Sequence, residues 1–225
     1  MYLRLIKRWL QATKVIMKCY EPGSDVRLCF CIALRAKDRY NGICDWGDSV
    51  LKKKDRLQTE RLTLKNFDED DRRPMVDILC NEEIKKTYMI PDFADKRQAE
   101  ALFEKLMEFS RSEEHFEYGI YCNHVLIGFV NDCEIKDATI EIGYVIAPEY
   151  QGKGFATEAV RCCVDELFRM GFVHIVAGYF EENKASARVM EKCGMHKLDA
   201  EDDIEYQGVV HHCLYYGIDC EKERL

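Results

Sequence analysis

The sequence predicts an α+β domain built on a mixed β-sheet. Thr139–Ala147 is an apolar run that ends at Pro148, an amphipathic helix follows after two glycines, and His174–Phe180 is a second apolar run. Strand, helix and strand in that order form a parallel pair by the right-handed crossover rule. Elsewhere strands follow one another directly, as Phe116–Tyr121 and Val125–Val130 do around a turn at Asn123-His124.

In chain order, Arg61–Lys65 reads as a strand. Asp68–Asp71 is an acidic helix start, and Pro74 sits in the first turns of a helix running on through Val76, Ile78 and Leu79. A second helix spans about Lys96–Ser110, with Ala99, Leu102, Phe103, Leu106 and Met107 on one face. The helix after the glycine turn carries Ala156, Ala159, Val160, Cys163, Val164, Leu167 and Phe168 as one stripe and stops at Gly171. Ala185–Lys192 is a short helix, and Met195–Asp199 and Val209–Asp219 are late strands.

Residues 1–56 stand apart as a basic N-terminal extension and linker, with 57–222 as the domain. The extension holds 13 Lys and Arg against 6 Asp and Glu, whereas the whole chain of 225 residues has a net charge of −8. Residues 1–18 contain Arg4, Lys7, Arg8, Lys14 and Lys18 and no acid, with Leu3, Ile6, Leu10 and Met17 available for an apolar face. A surface-binding amphipathic helix and an extension that never packs both fit; a targeting peptide fits less well, for want of serine and arginine. Residues 37–56 alternate turn residues and charges and read as a linker, its Lys52-Lys53-Lys54 run as a solvated segment.

Composition narrows the function. At 47% hydrophobic residues the chain can bury a core, and no run of 18 apolar residues suggests an integral membrane segment. An acidic domain argues against nucleic acid and suits a cationic substrate such as an amine. The 12 cysteines include no C-x-x-C, and alternation along a strand sends His211 and His212 to opposite faces, so small buried thiols in a reducing cytoplasm are expected rather than a metal site.

The chemistry concentrates at Gln151-Gly152-Lys153-Gly154. A strand, a glycine turn and a helix N-terminus together offer free N–H groups to an anion. The spacing is neither that of a P-loop nor of a dinucleotide fingerprint, and by itself it also suits an ordinary strand-to-helix loop.

Three motifs lift it above that. Gln151-x-x-Gly154-x-Ala156 matches Q/R-x-x-G-x-G/A, Thr59-Glu60-Arg61-Leu62-Thr63-Leu64 matches T-E-R-L-x-L, and Asn183 to Met195 matches N-x-x-S-x-x-V-x-E-K-x-G-F with Met at the last place. In register over about residues 57–220, they make the chain resemble the GNAT acetyltransferase superfamily, in its ribosomal-protein alanine/serine N-acetyltransferase branch. The resemblance implies a GNAT fold: a mixed, mostly antiparallel sheet with a splayed central parallel strand pair, flanked by helices. It implies acetyl-CoA as acetyl donor, no metal, and transfer to a primary amine, foremost a protein N-terminal α-amine. The alternatives are a small amine (an aminoglycoside or a polyamine) or a non-catalytic acetyl-CoA-binding module. A monomer or homodimer is expected.

By the same resemblance, the strand backbone at Tyr144, Val145 and Ile146 would hold pantetheine. Gln151, Gly152, Lys153, Gly154, Phe155, Ala156 and Thr157 would cradle the diphosphate, with Lys153 adding a cation or simply facing solvent, and Asn183 would hold the pantetheine arm or the strand end, or else cap the next helix as a turn residue. Glu141 is the candidate proton acceptor, with an outward-facing strand glutamate as the plainer reading; Ser186 is the candidate partner of the sulfur. Two departures bear on this. Gly178 stands where some relatives have a glutamate, and Met190 where they have a tyrosine that protonates the thiolate. An α-amine with a pKa of about 7.7–8.0 needs little help to lose its proton, whereas a lysine near 10.4 needs a strong base.

Overall fold

The computed structural model describes residues 51–220, so the expectations for residues 1–50 lie outside the described residues. The sheet has eight strands: β1 Arg56–Gln58, β2 Leu62–Lys65, β3 Tyr118–Cys122, β4 Val125–Lys136, β5 Thr139–Ile146, β6 His174–Phe180, β7 His196–Tyr206 and β8 Val209–Asp219. Their spatial order is β1-β2-β3-β4-β5-β6-β8-β7. Only β5–β6 is parallel; the other neighbours pair antiparallel. The helices are α1 Arg72–Leu79, α2 Glu82–Lys85, α3 Lys96–Arg111, α4 Phe155–Arg169 and α5 Lys184–Lys192.

Alternation along β5 divides the core. Ile140, Ile142 and Ile146 join one apolar cluster with Ala159, Val160, Cys163 and Leu167 of α4 and Met190 of α5. Val145 joins the other, with Met75, Ile78 and Leu79 of α1 and Phe103 of α3. The apolar stripe of α4 therefore lies on one face of the sheet and α1 and α3 on the other. Each fully buried Leu, Ile or Phe contributes about 1.5–3 kcal/mol, so the sheet is clamped from both sides where the site forms.

Three differences from the sequence reading have physical causes. Strand β7 runs to Tyr206 rather than Asp199, through Glu201, Asp202, Asp203 and Glu205. It is an edge strand, where charged side chains are tolerated and even protective. Strand β4 runs to Lys136 past an irregularity between Asp132 and Glu134 that breaks its alternation. Residues 51–56 pack on the domain instead of ending a solvated linker. Lys53 Nζ donates to the carbonyls of Ser110 (2.7 Å), His115 (2.9 Å) and Glu117 (3.3 Å), and Tyr118 Oη donates to the Lys54 carbonyl. Carbonyls left over at the end of α3 and beyond it attract the lysine, a demand invisible in its own sequence neighbourhood.

No helix among the described residues is long and apolar enough to cross a membrane. His211 meets Glu182 and stacks on Phe180, while His212 meets Asp203, so the two histidines do leave β8 in different directions.

Candidate functional site

The β5–β6 ladder ends early. Thr139 pairs with His174, Ile140 with Ile175 and Glu141 with Val176, and the strands then separate. A cleft of about 570 Å³ opens there, lined among others by Tyr88, Gly143, Tyr144, Gly154, Gly178 and Ser186. That volume falls within the usual range for a small-molecule site.

Hydrogen bonds at the two ends of β5 fix which main-chain groups face the gap. The Ala147 N–H donates to Ile127 of β4 (2.8 Å), while the Ala138 carbonyl accepts from Val173 (2.8 Å) at the β6 edge. By alternation, the N–H and C=O groups of Ile142, Tyr144 and Ile146 point toward β6, and those of Val145 point toward β4. Tyr144 thus turns its main-chain N–H and C=O toward the cleft and Ile146 its N–H, the Ile146 carbonyl being taken by Gln151, whereas the Val145 main chain serves the β4 side.

Pro148–Tyr150 forms a 3₁₀ turn, and Gly152 (φ +72°) and Gly154 (φ +82°) then adopt left-handed backbone before α4 begins at Phe155. Side chains rarely accept those angles, which accounts for both glycines. Through this turn the N–H groups of Gly152, Lys153, Gly154, Phe155, Ala156 and Thr157 find no partner among the described residues; the first helical bond is Glu158 N–H to the Gly154 carbonyl (3.1 Å). A run of free amides at the positive end of a 15-residue helix is an anion cradle.

Two side chains expected at this cradle are engaged elsewhere. Gln151 donates Nε2–H to the Ile146 carbonyl (2.8 Å), fastening the loop to the end of β5 rather than reaching a ligand. Lys153 is exposed and donates to the Glu149 carbonyl (2.8 Å), with its ammonium over the Tyr150 ring. The donors this loop leaves unengaged are therefore main-chain amides.

Asn183 lines the cleft and caps α5, its Oδ1 accepting from the Ser186 N–H (3.2 Å). Ser186 Oγ lies 2.7 Å from the Tyr144 hydroxyl, which also donates to the Ser186 carbonyl (3.1 Å). The Tyr144 hydroxyl is the polar group the sequence conceals, since only folding brings its ring against the first turn of α5. Burial raises its pKa, so it stays a neutral O–H.

Glu141 occupies the last paired rung of β5. It is 8% exposed, its carboxyl makes no hydrogen bond among the described residues, and that carboxyl is pushed up to about 7 by burial and by the carboxylates of Glu134 and Asp202. It is thus not an outward-facing strand residue. A buried acid with no cation beside it is costly to ionise, which is why its proton is held to near neutrality. Glu141 leaves β5 on the same face as Gly143, and Tyr144 leaves on the other.

The two departures read from the sequence are also explained. A Cβ on Gly178 would stand 2.8 Å from the Tyr215 ring, so the space a glutamate would need is filled by an aromatic side chain. Met190, on the inner face of α5, is fully buried in the core and does not line the cleft. On the opposite face of β5 from Tyr144, a Cβ on Gly143 would meet the Tyr88 hydroxyl at 2.7 Å and Asn131 at 3.1 Å. The Tyr88 hydroxyl donates to Asn131 Oδ1 (2.6 Å) and stands over the cleft floor. Nothing in the local sequence marks Tyr88; it lies 55 positions before Gly143.

Comparison with known proteins agrees with this geometry. The family described as "Acetyltransferase (GNAT) domain" matches residues 61–196. The uncharacterized N-acetyltransferase YoaA of Bacillus subtilis is 28% identical over 156 residues, covering 67% of this chain and 88% of that protein. Among solved structures, a GNAT-family acetyltransferase from Bacillus anthracis superposes with a TM-score of 0.64 at 24% identity, over 73% of this chain and 98% of that one. The ribosomal-protein-S5-alanine acetyltransferase of Vibrio fischeri superposes with a TM-score of 0.63 at 19% identity, over 74% and 97% of the two chains. At these identities the likeness to the two structures is one of fold.

Proposed function

The chain belongs to the GNAT acetyltransferase family and is an acetyl-CoA-dependent N-acetyltransferase, and from that premise we propose that its acceptor is the α-amine of a protein N-terminus. The residues present suit the donor. Amides from Gly152 to Thr157 would hold the diphosphate, with the direct N–H bonds outweighing the helix terminus, whose field is worth about 0.3–1 kcal/mol per exposed charge. The strand groups of Tyr144 facing the gap, and the amide of Asn183 left over from capping, suit the polar groups of a pantetheine arm. Bound acetyl-CoA supplies an activated acetyl thioester with a good leaving group.

The observation that carries the acceptor assignment is Glu141: buried, unpartnered and near pKa 7, at the rung where the strands part. It accepts the proton of the incoming amine, directly or through one water. An α-ammonium of pKa about 7.7–8.0 gives its proton to such a group at little cost, whereas a lysine near 10.4 does so against more than three units. Ser186 donates toward the departing sulfur: with the single Tyr144 proton held by the Ser186 carbonyl, the serine hydroxyl turns its own proton from Tyr144 Oη to the sulfur. Met190 has no proton to give. The likeness in fold to a ribosomal-protein-S5-alanine acetyltransferase supports a protein acceptor, and the buried free thiols of Cys163, Cys193 and Cys213 suit a reducing compartment such as the cytoplasm.

The test is a competition, read by mass spectrometry, among peptides with a free Ala or Ser N-terminus, N-blocked lysine peptides, polyamines and aminoglycosides. Preferential acetylation of free N-termini supports the assignment; turnover confined to polyamines or aminoglycosides moves it to a small-amine acceptor.

A further inference from the structure

The segment Thr59-Glu60-Arg61 has no part in the site so far, yet it is wired to the anion cradle. Both ends of the connection are polar and specific. Thr59 Oγ1 and the Arg61 N–H both donate to Glu158 Oε1, the latter at 2.9 Å. Arg61 Nε donates to Glu158 Oε2 (2.7 Å), and its Nη2 lies 2.6 Å from the same oxygen. Arg61 Nη1 donates to the Lys153 carbonyl (3.0 Å), and the guanidinium lies 4.6 Å from the centre of the Phe155 ring. One arginine thus grips the first turn of α4, the ring at its start and the peptide between the two glycines.

The Lys153–Gly154 bond is a trans peptide, so its C=O and N–H point in opposite directions. A carbonyl drawn to Arg61 leaves the Gly154 N–H facing the other way. Freed from Arg61, the same peptide flanked by two left-handed glycines can rotate, and a carbonyl oxygen turned to the cradle would repel a phosphate. Arg61 itself lines a second recess behind the loop, with Gln58, Glu158 and Arg161, and does not line the cleft.

We propose that Arg61 is a positioning residue for diphosphate binding: through the Lys153 carbonyl and Glu158 it holds the glycine turn with its amides toward the ligand, without touching the ligand. The inference rests on the acetyl-CoA reading of the cleft. Arg, rather than Lys, is required because only a planar fork reaches a carboxylate and a carbonyl together.

The experiment uses the full chain with Arg61→Ala and Arg61→Lys, two donors and two ligands. Acetyl-CoA carries the diphosphate; S-acetylpantetheine has the same thioester without it. For Arg61→Ala, KM for acetyl-CoA rises about 10–100-fold with kcat nearly unchanged, as expected for the loss of one or two charge-assisted contacts. The kcat/KM for S-acetylpantetheine stays at the wild-type value, and Arg61→Lys recovers only part of the loss. Calorimetry gives the parallel readout: affinity for coenzyme A falls and affinity for pantetheine holds. An equal loss with both donors makes Arg61 a general structural support and overturns the proposal, as does an unchanged KM for acetyl-CoA. If the wild-type protein binds coenzyme A but acetylates no amine, the transferase reading fails while the calorimetric comparison still decides the role of Arg61; if it binds no coenzyme A, the proposal fails with it.

Discussion

Glu141 and Val176 form the last rung of the parallel β5–β6 ladder, and the cleft begins one residue beyond Glu141, at Ile142. The carboxyl side chain of that rung is therefore held by regular β-structure, yet it stands at the threshold of an opening. Regular β-structure thus fixes the position of the proposed proton acceptor next to the first cleft-lining residue, Ile142.

The position of Glu141 makes the pH profile predictable. With the free enzyme's base near pKa 7 and the acceptor amine near 8, kcat/KM rises with pH through both and levels above about pH 8.5. Glu141→Gln lowers kcat by about 10²–10⁴-fold and removes the lower limb of the profile. Steady-state rates between pH 5.5 and 9 on an N-terminal alanine peptide check this; an unchanged lower limb means that another group takes the proton.

The same substitution stabilises the protein above neutrality. Glu141 ionises near 7 when folded and near 4.5 when unfolded, so between those values the native state holds the extra proton. Stability on this account falls as pH rises from 4.5 to 7 and stays lower above it, by about 3 kcal/mol for the full shift. Glu141→Gln removes that loss. Urea unfolding at pH 5 and pH 8 is expected to show the variant gaining on the wild type only at pH 8.

Gly154→Val puts a β-branched residue at φ +82° and a side chain beside Arg61 Nη2. Affinity for coenzyme A is expected to fall at least about 10-fold, since the turn cannot keep its amides in place under that strain. Calorimetric titration with coenzyme A measures it, with circular dichroism showing that the fold survives. Wild-type affinity would place the diphosphate elsewhere.

Lys53→Met removes the donor shared by the Ser110, His115 and Glu117 carbonyls. The loss is expected to be about 1–3 kcal/mol. Burial lowers the Lys53 pKa to about 8, so between pH 8 and 10 the unfolded chain holds a proton that the folded one has given up, and stability on this account rises with pH across that window. The variant loses that rise, which thermal melts at pH 7.5 and 9.5 detect.

Much of the molecule was legible before folding. Proline, paired glycines and a 3.6-residue apolar stripe specified strand β5, the turn and helix α4, because each is a local demand of backbone geometry or amphipathicity. The free amides of the turn followed from the same signals, since any helix start leaves donors over. The sequence could not say that Gln151 turns back to Ile146, that Val145 faces β4, or that Tyr144 brings its hydroxyl to Ser186, for these depend on which neighbour each strand edge meets. Nor could it tell Glu141 from an exposed strand glutamate: a side chain's burial and its nearness to Glu134 and Asp202 arise from strands distant in the chain. Local chemistry chose the elements, and long-range packing set the protonation, pairing and direction of the groups that act.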